Sequence, residues 1–208
     1  MVERAILKSN AKNQLRGKWG LAIAAYVISA VICGILYGIG VLAESEEIMI
    51  IGGIVAIIIA GPIYYGISAF ILNIVRGKDA AVSDIFVGFT GKIIIKAIVL
   101  MILNSIVISI GYIIFVIPGI ILSIMLSQCF FILVDNNDLS AIDCMKLSCE
   151  MMKGNKMYLF VLFLSFLGWF ILGEITCGIG YLWITPYYSI TLGNFYEELK
   201  EGASKASN

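Results

Sequence analysis

Long runs without a single charge set the strongest limit on what this chain can fold into. Between Lys18 and Glu44 lie 25 uncharged residues, between Glu47 and Arg76 lie 28, and between Lys96 and Asp135 lie 38. Two further runs, of 17 and 22 residues, separate Lys156 from Glu174 and Glu174 from Glu197. A helix needs about 20 apolar residues to cross roughly 30 Å of hydrocarbon. The first two runs suit one crossing each. As one helix, the 38-residue run would be about 57 Å long, too much for a single crossing. It predicts two helices turning at Ile117-Pro118-Gly119, where proline removes a donor and glycine permits a turn. The last two runs predict a hairpin turning near Glu174 and Gly178-Ile179-Gly180. The expectation is an all-α polytopic membrane protein, one membrane domain over residues 1–208. Its six spans lie near 19–43, 48–75, 97–116, 118–134, 157–173 and 176–196, as three hairpins.

Composition agrees with lipid as the solvent. Hydrophobic residues make up 61% of the chain and charged residues 13%, against roughly 25% charged in soluble domains. Histidine is absent, so no zinc triad, Ser-His-Asp triad or imidazole switch can be built. Lys and Arg number 14 and Asp and Glu 14, which leaves no basic footprint for nucleic acid. No cofactor or metal is expected. Of the five cysteines, Cys33, Cys129 and Cys177 fall in or near spans and Cys144 and Cys149 between them; all read as small packing residues.

Basic residues give the orientation. Segments 1–18, 76–96, 135–156 and 197–208 hold 5, 4, 3 and 2 of them, which accounts for all 14. The opposite side holds only Glu44, Glu46, Glu47 and Glu174. The positive-inside rule therefore predicts a plasma-membrane protein with both termini cytoplasmic.

The basic segments carry helical patterns of their own. In residues 3–17, Ile6, Leu7, Ala11 and Leu15 alternate with Arg4, Lys8, Lys12 and Arg16, as in a helix lying in the headgroup plane. Together with Lys18, these four basic residues are the candidate contacts for membrane lipid headgroups. In 139–153, Ser140 and Asp143 predict a capped start, and Ile142, Met145, Cys149 and Met152 form a stripe. In 83–92, Ser83 is the expected cap before Ile85, Phe86 and Phe89. Each segment ends in glycine closely followed by lysine: Gly17-Lys18, Gly91-Lys92 and Gly154-Asn155-Lys156. The chain thus reads as three similar units of interfacial helix, corner and hairpin.

Few strong polar groups fall within the runs. Asn104 and Gln128 are placed to bond across the second hairpin, between spans 3 and 4. Glu174 belongs either to the outer turn or, within the membrane, to a proton or cation site. These three form a possible intramembrane polar site. Asp135-Asn136-Asn137-Asp138 lacks the Gly and distal Glu of a calcium loop and reads as a turn. Gly34 and Gly38, four residues apart, predict close helix packing, within the chain or by self-association.

Several phrases resemble a bacterial family of integral membrane proteins known only as domain of unknown function 975. They are Ile71-Leu72-Asn73-Ile74-Val75-Arg76-Gly77, Ser83-Asp84-Ile85-Phe86-Val87-Gly88-Phe89, Ile117-Pro118-Gly119-Ile120, and Ser148-Cys149-Glu150-Met151-Met152-Lys153-Gly154. Leu164 to Trp169, Gly178-Ile179-Gly180, Pro186-Tyr187 and Phe195-Tyr196 complete the set. The resemblance implies a polytopic protein and brings no catalytic or binding residues. More distantly, the chain is similar to the membrane domain of some glycerophosphodiester phosphodiesterases, whose catalytic domain has no counterpart here.

Three functions fit such a chain. The first is a non-enzymatic role binding lipid, or another membrane protein, in the cell envelope. The alternative is a transporter or channel for a small or amphiphilic solute, built on the repeated hairpins with one proline each. An intramembrane enzyme has the least behind it, because acid–base work would fall on Glu174, Tyr or Lys without a positioned partner.

Overall fold

The computed structural model describes residues 3–42 and 46–206. It is all helical, with no strand among the described residues. The helices are α1 (Arg4–Leu15), α2 (Trp19–Leu42), α3 (Glu46–Val75), α4 (Ile93–Ile114), α5 (Val116–Met125), α6 (Cys129–Asp135), α7 (Ala141–Met151), α8 (Lys156–Ile175) and α9 (Tyr181–Ala206). A 3-10 helix, Val82–Phe89, lies between α3 and α4.

Four of these are long and apolar enough to cross a membrane: α3, α4, α8, and α5 with α6 taken together as Val116–Asp135. Trp19–Ile35 of α2 makes a fifth when counted with α1, to which it is bent by 94°. The sixth expected span, 176–196, begins in the turn before α9 and overlaps that helix only from Tyr181; α9 is not among them. The reason is physical. Helix α9 packs against α1, α2, α3, α7 and α8. A helix surrounded by protein needs no continuous apolar surface. It carries Tyr, Thr and Asn where lipid-facing helices carry Ile and Val.

Two turns differ from expectation. The break between α4 and α5 falls at Phe115, which is extended, and not at Pro118. Pro118 stands in the first turn of α5, where its missing N–H costs no helical bond. Gly119 instead gives room to the Tyr112 ring: an added Cβ would lie 2.5 Å from its Cγ. The expected span 118–134 is interrupted at residues 126–128. There the Ser148 hydroxyl of α7 donates to the Met125 carbonyl at 2.7 Å and accepts from the Gln128 N–H at 3.3 Å. An interruption inside a span persists when its freed backbone groups find such partners.

The segments between spans also sharpen. Ser140 caps α7, its hydroxyl accepting from the Asp143 N–H. Ser83 does not cap: the 3-10 helix begins one residue earlier, and Asp84 accepts from the Ala81 N–H at 3.2 Å and from Asn73 Nδ2 at 3.0 Å. This helix wedges against α3, with Gly66 facing the Ile85 backbone and Gly88 facing the Pro62 backbone so closely that neither admits a Cβ. The corner glycines Gly17, Gly91 and Gly154 share a left-handed conformation, with φ of 77°, 50° and 78°. Each ends an approach helix and turns the chain into the next long one.

Candidate functional site

Helix α1 does not lie free on a surface. Leu7, Ala11 and Leu15, one turn apart, are buried in the same core as Phe195, Tyr196 and Ile74. That rotation carries the basic residues onto α8 and α9. Lys8 Nζ donates to the Ser165 carbonyl at 2.9 Å and stands 4.2 Å from the Phe166 ring centre. Lys12 Nζ is 5.5 Å from the Tyr187 ring and the Arg4 guanidinium 5.4 Å from the Tyr158 ring. Burial, and then the neighbouring charge of Lys12, pushes the Lys8 ammonium below its ordinary pKa. Of the five basic residues expected at lipid headgroups, three therefore rest on aromatic faces. Such cation–ring contacts are worth about 0.5–1 kcal/mol at exposed sites. Arg16 is exposed and Lys18 half-buried.

A reciprocal amide pair fixes the other end of α1. Gln14 Nε2 donates to Asn194 Oδ1 at 3.1 Å, and Asn194 Nδ2 donates to Gln14 Oε1 at 2.7 Å.

Nearby, the ends of α3 and α6 meet α9 in an ionic cluster. Arg76 Nη1 and Nη2 bind Asp135 Oδ1 and Oδ2 at 2.8 and 2.9 Å, a bidentate pair. The same guanidinium donates from Nε and Nη2 to Glu197 Oε1 at 2.8 and 2.6 Å. Lys200 Nζ and the Tyr196 hydroxyl complete the Asp135 carboxylate, at 2.6 and 3.1 Å. Asp135 is 7% exposed, so its pairing takes place in low dielectric. The Asp135 bond above all, with Glu197, raises the Arg76 pKa further above its ordinary value, despite opposing burial. Two positive and two negative side chains sum to zero, which makes the cluster a staple between three helices and not an ion site. The neighbouring Asp135-Asn136-Asn137-Asp138 turn is also occupied by protein: Tyr65 donates to Asn137 Oδ1 at 2.7 Å and Lys96 to its carbonyl at 2.5 Å.

These pairing residues went unseen in the sequence as a site, yet they carried a signal. Arg76, Asp135 and Glu197 are each the first charge after an uncharged run, and each opens a segment that holds basic residues.

Asn104 and Gln128 are buried, 8% and 0% exposed, and the Gln128 N–H donates to the Ser148 hydroxyl. They do not bond to each other: Asn104 Oδ1 and Gln128 Oε1 both lack a donor, while Gln128 Nε2 turns to Ser127 Oγ at 2.8 Å. The interruption before α6 redirects Gln128 away from the regular helical position that the expectation assumed. Glu174 lies apart from both, in the last turn of α8 beside the turn into α9, where it accepts the Tyr181 hydroxyl at 2.6 Å. The five cysteines are free thiols. In α2, Cβ atoms added to Gly34 or Gly38 would meet nothing within 4 Å among the described residues.

Neither the curated proteins nor the solved structures include a match to the chain. The more distant likeness to the membrane domain of glycerophosphodiester phosphodiesterases finds no counterpart in these comparisons. One family model does match, over residues 1–124 and 110–203, and nearly the whole chain is thereby covered. The chain belongs to the family described as protein of unknown function DUF975.

Proposed function

We propose that this chain is a non-enzymatic, six-span protein of the cell membrane, with both termini cytoplasmic, that binds anionic lipid of the inner leaflet. The single observation that carries the reading is the placement of charge. All 14 basic residues lie in the four segments 1–18, 76–96, 135–156 and 197–208, which six crossings would put on one side. Juxtamembrane Lys and Arg attract anionic lipid with about 1 kcal/mol each near the surface. The rotation of α1 reassigns part of this work: Arg4, Lys8 and Lys12 hold the helix to α8 and α9, which leaves Arg16, Lys18 and the later lysines for headgroups. The absence of histidine favours binding over catalysis. Self-association through Gly34 and Gly38 belongs to the same proposal, since a Cβ added at either would meet nothing within 4 Å among the described residues.

The test is the lipid that accompanies the protein. After extraction into polymer-bounded native discs, mass spectrometry of the co-purified lipid should show enrichment of anionic species over the bulk membrane. Lipid identical to bulk would contradict the reading.

A second reading, passage of a small solute, has one observation behind it: the undonated oxygens of Asn104 and Gln128 in a buried position. Solute flux into proteoliposomes, unchanged between the natural chain and Asn104→Ala with Gln128→Ala, would remove it.

A further inference from the structure

Helix α5 is short and flanked on opposite faces by two apolar grooves. On one face, Leu122 and Leu126, a turn apart, join Leu103 and Val107 of α4 beneath Ile142 and Met145 of α7. This groove holds about 500 Å³. On the other face, Ile117, Ile120 and Ile124 oppose Met157 and Phe160 of α8. There a space of about 260 Å³ continues through Ile120, Ile124 and Phe160 into one of about 250 Å³ that ends on Tyr112 and Tyr188.

The walls are apolar, and both rims are basic at the same end. Lys146 and Lys153 border the first groove and Lys156 the second. The short corner from Met151 to Lys156 carries two of these lysines and joins the rims. It turns at Gly154, whose φ is 78°. Lys153, with Cys149 and Glu150, lines the first groove, and Lys156, three residues on, lines the second. None of the three lysines has an ion pair among the described residues. The acidic groups facing the corner are Glu150 and Glu198. The 20-residue helix α8 begins at Lys156 with no side-chain cap, so its first N–H groups also face the corner.

The amphipathic pattern of α7 fits this arrangement. Ala141, Cys144, Ser148 and Met152 are buried in the bundle. Of the apolar stripe expected on this helix, only Met152 is core; Ile142, Met145 and Cys149 line the groove.

Two apolar troughs diverging from one cationic corner match the shape and charge of a diacyl lipid with an anionic headgroup. We propose that such a lipid straddles α5, one chain in each groove, with its phosphate at the α7–α8 corner against Lys146, Lys153 and Lys156. The site rests on the anionic-lipid reading above and gives that reading a location.

Native mass spectrometry of the full chain in mild detergent tests both. The probes are phosphatidylglycerol, phosphatidylcholine and single-chain lysophosphatidylglycerol. The natural chain is expected to bind phosphatidylglycerol about tenfold or more tightly than phosphatidylcholine, as two or three near-surface lysines imply. The variant K146Q/K153Q/K156Q is expected to lose that preference, whereas K78Q/K92Q keeps it. Lysophosphatidylglycerol is expected to bind more weakly than the two-chain lipid. A preference that survives in K146Q/K153Q/K156Q overturns the corner site and leaves the anionic-lipid reading standing. No preference in the natural chain overturns both. Lysophosphatidylglycerol binding as tightly as phosphatidylglycerol overturns the two-groove arrangement, in a measurement that needs no variant to fold.

Discussion

Arg76, the first charge after α3, holds Asp135, the last residue of α6, through two parallel hydrogen bonds of 2.8 and 2.9 Å. The pair joins chain segments 59 residues apart, and Glu197 and Lys200 tie α9 to it. Breaking a buried pair by removing one partner leaves the other charge uncompensated, at a cost of about 3–5 kcal/mol. Arg76→Met and Asp135→Asn should each destabilise the full chain by about 3 kcal/mol in mixed-micelle unfolding. The double variant should cost less than the sum, because neither member of the pair is left facing the other's vacancy, and Glu197 and Lys200 that remain carry opposite charges. Additive losses would mean that the two side chains are not coupled.

Lys8 gives a pH dependence with a definite sign. Burial, and secondarily Lys12, lowers its pKa from 10.5. Between the lowered value and 10.5 the unfolded chain binds more protons than the folded one, so stability contributed by this group rises with pH through that window. Carbon-13 methylation of the lysines and an NMR titration should put the Lys8 midpoint below 10.5, and Lys12→Gln should move it up. A Lys8 midpoint at 10.5 or above would mean that burial and Lys12 do not govern its charge.

Gly66 and Gly88 interlock α3 with the 3-10 helix. An alanine at either forces two backbones apart, and overpacking of this kind typically costs about 1–3 kcal/mol. Gly66→Ala and Gly88→Ala should each lower the unfolding midpoint, while Gly53→Ala, whose Cβ meets nothing within 4 Å, should not. Equal midpoints for all three variants would refute the wedge.

Cβ atoms added to Gly34 and Gly38 would meet nothing within 4 Å among the described residues, and the proposed self-association uses that face. Replacing both with isoleucine should leave thermal unfolding of the monomer unchanged and reduce crosslinked dimer in native membranes. Undiminished crosslinking would place any self-association elsewhere.

The apolar runs were legible because lipid imposes one rule on every exposed position, and the charges that break it mark the ends of helices. Arg76, Asp135 and Glu197 served as such markers in the sequence. Their mutual contact was not legible, since it depends on which helix ends are neighbours. The rotation of α1 was hidden for a related reason. Ile6, Leu7, Ala11 and Leu15 suit a lipid surface and a protein core equally well, and only the neighbouring helices decide between them. The interruption at Leu126, Ser127 and Gln128 has no Gly or Pro to announce it and is held open by Ser148 of α7. In contrast, Gly17, Gly91 and Gly154 marked their corners correctly, because a left-handed turn at a helix end favours glycine.

Sidedness underlies the whole account, and labelling of single cysteines in intact cells tests it most directly. Cys177 is exposed in the turn between α8 and α9, and Asp79 is exposed after α3. With Cys177 as the sole cysteine, an impermeant thiol reagent should label the chain in intact cells. With Asp79→Cys as the sole cysteine, labelling should require permeabilisation. Labelling of the residue 79 variant in intact cells, with Cys177 protected, would contradict the orientation and the inner-leaflet lipid role built on it.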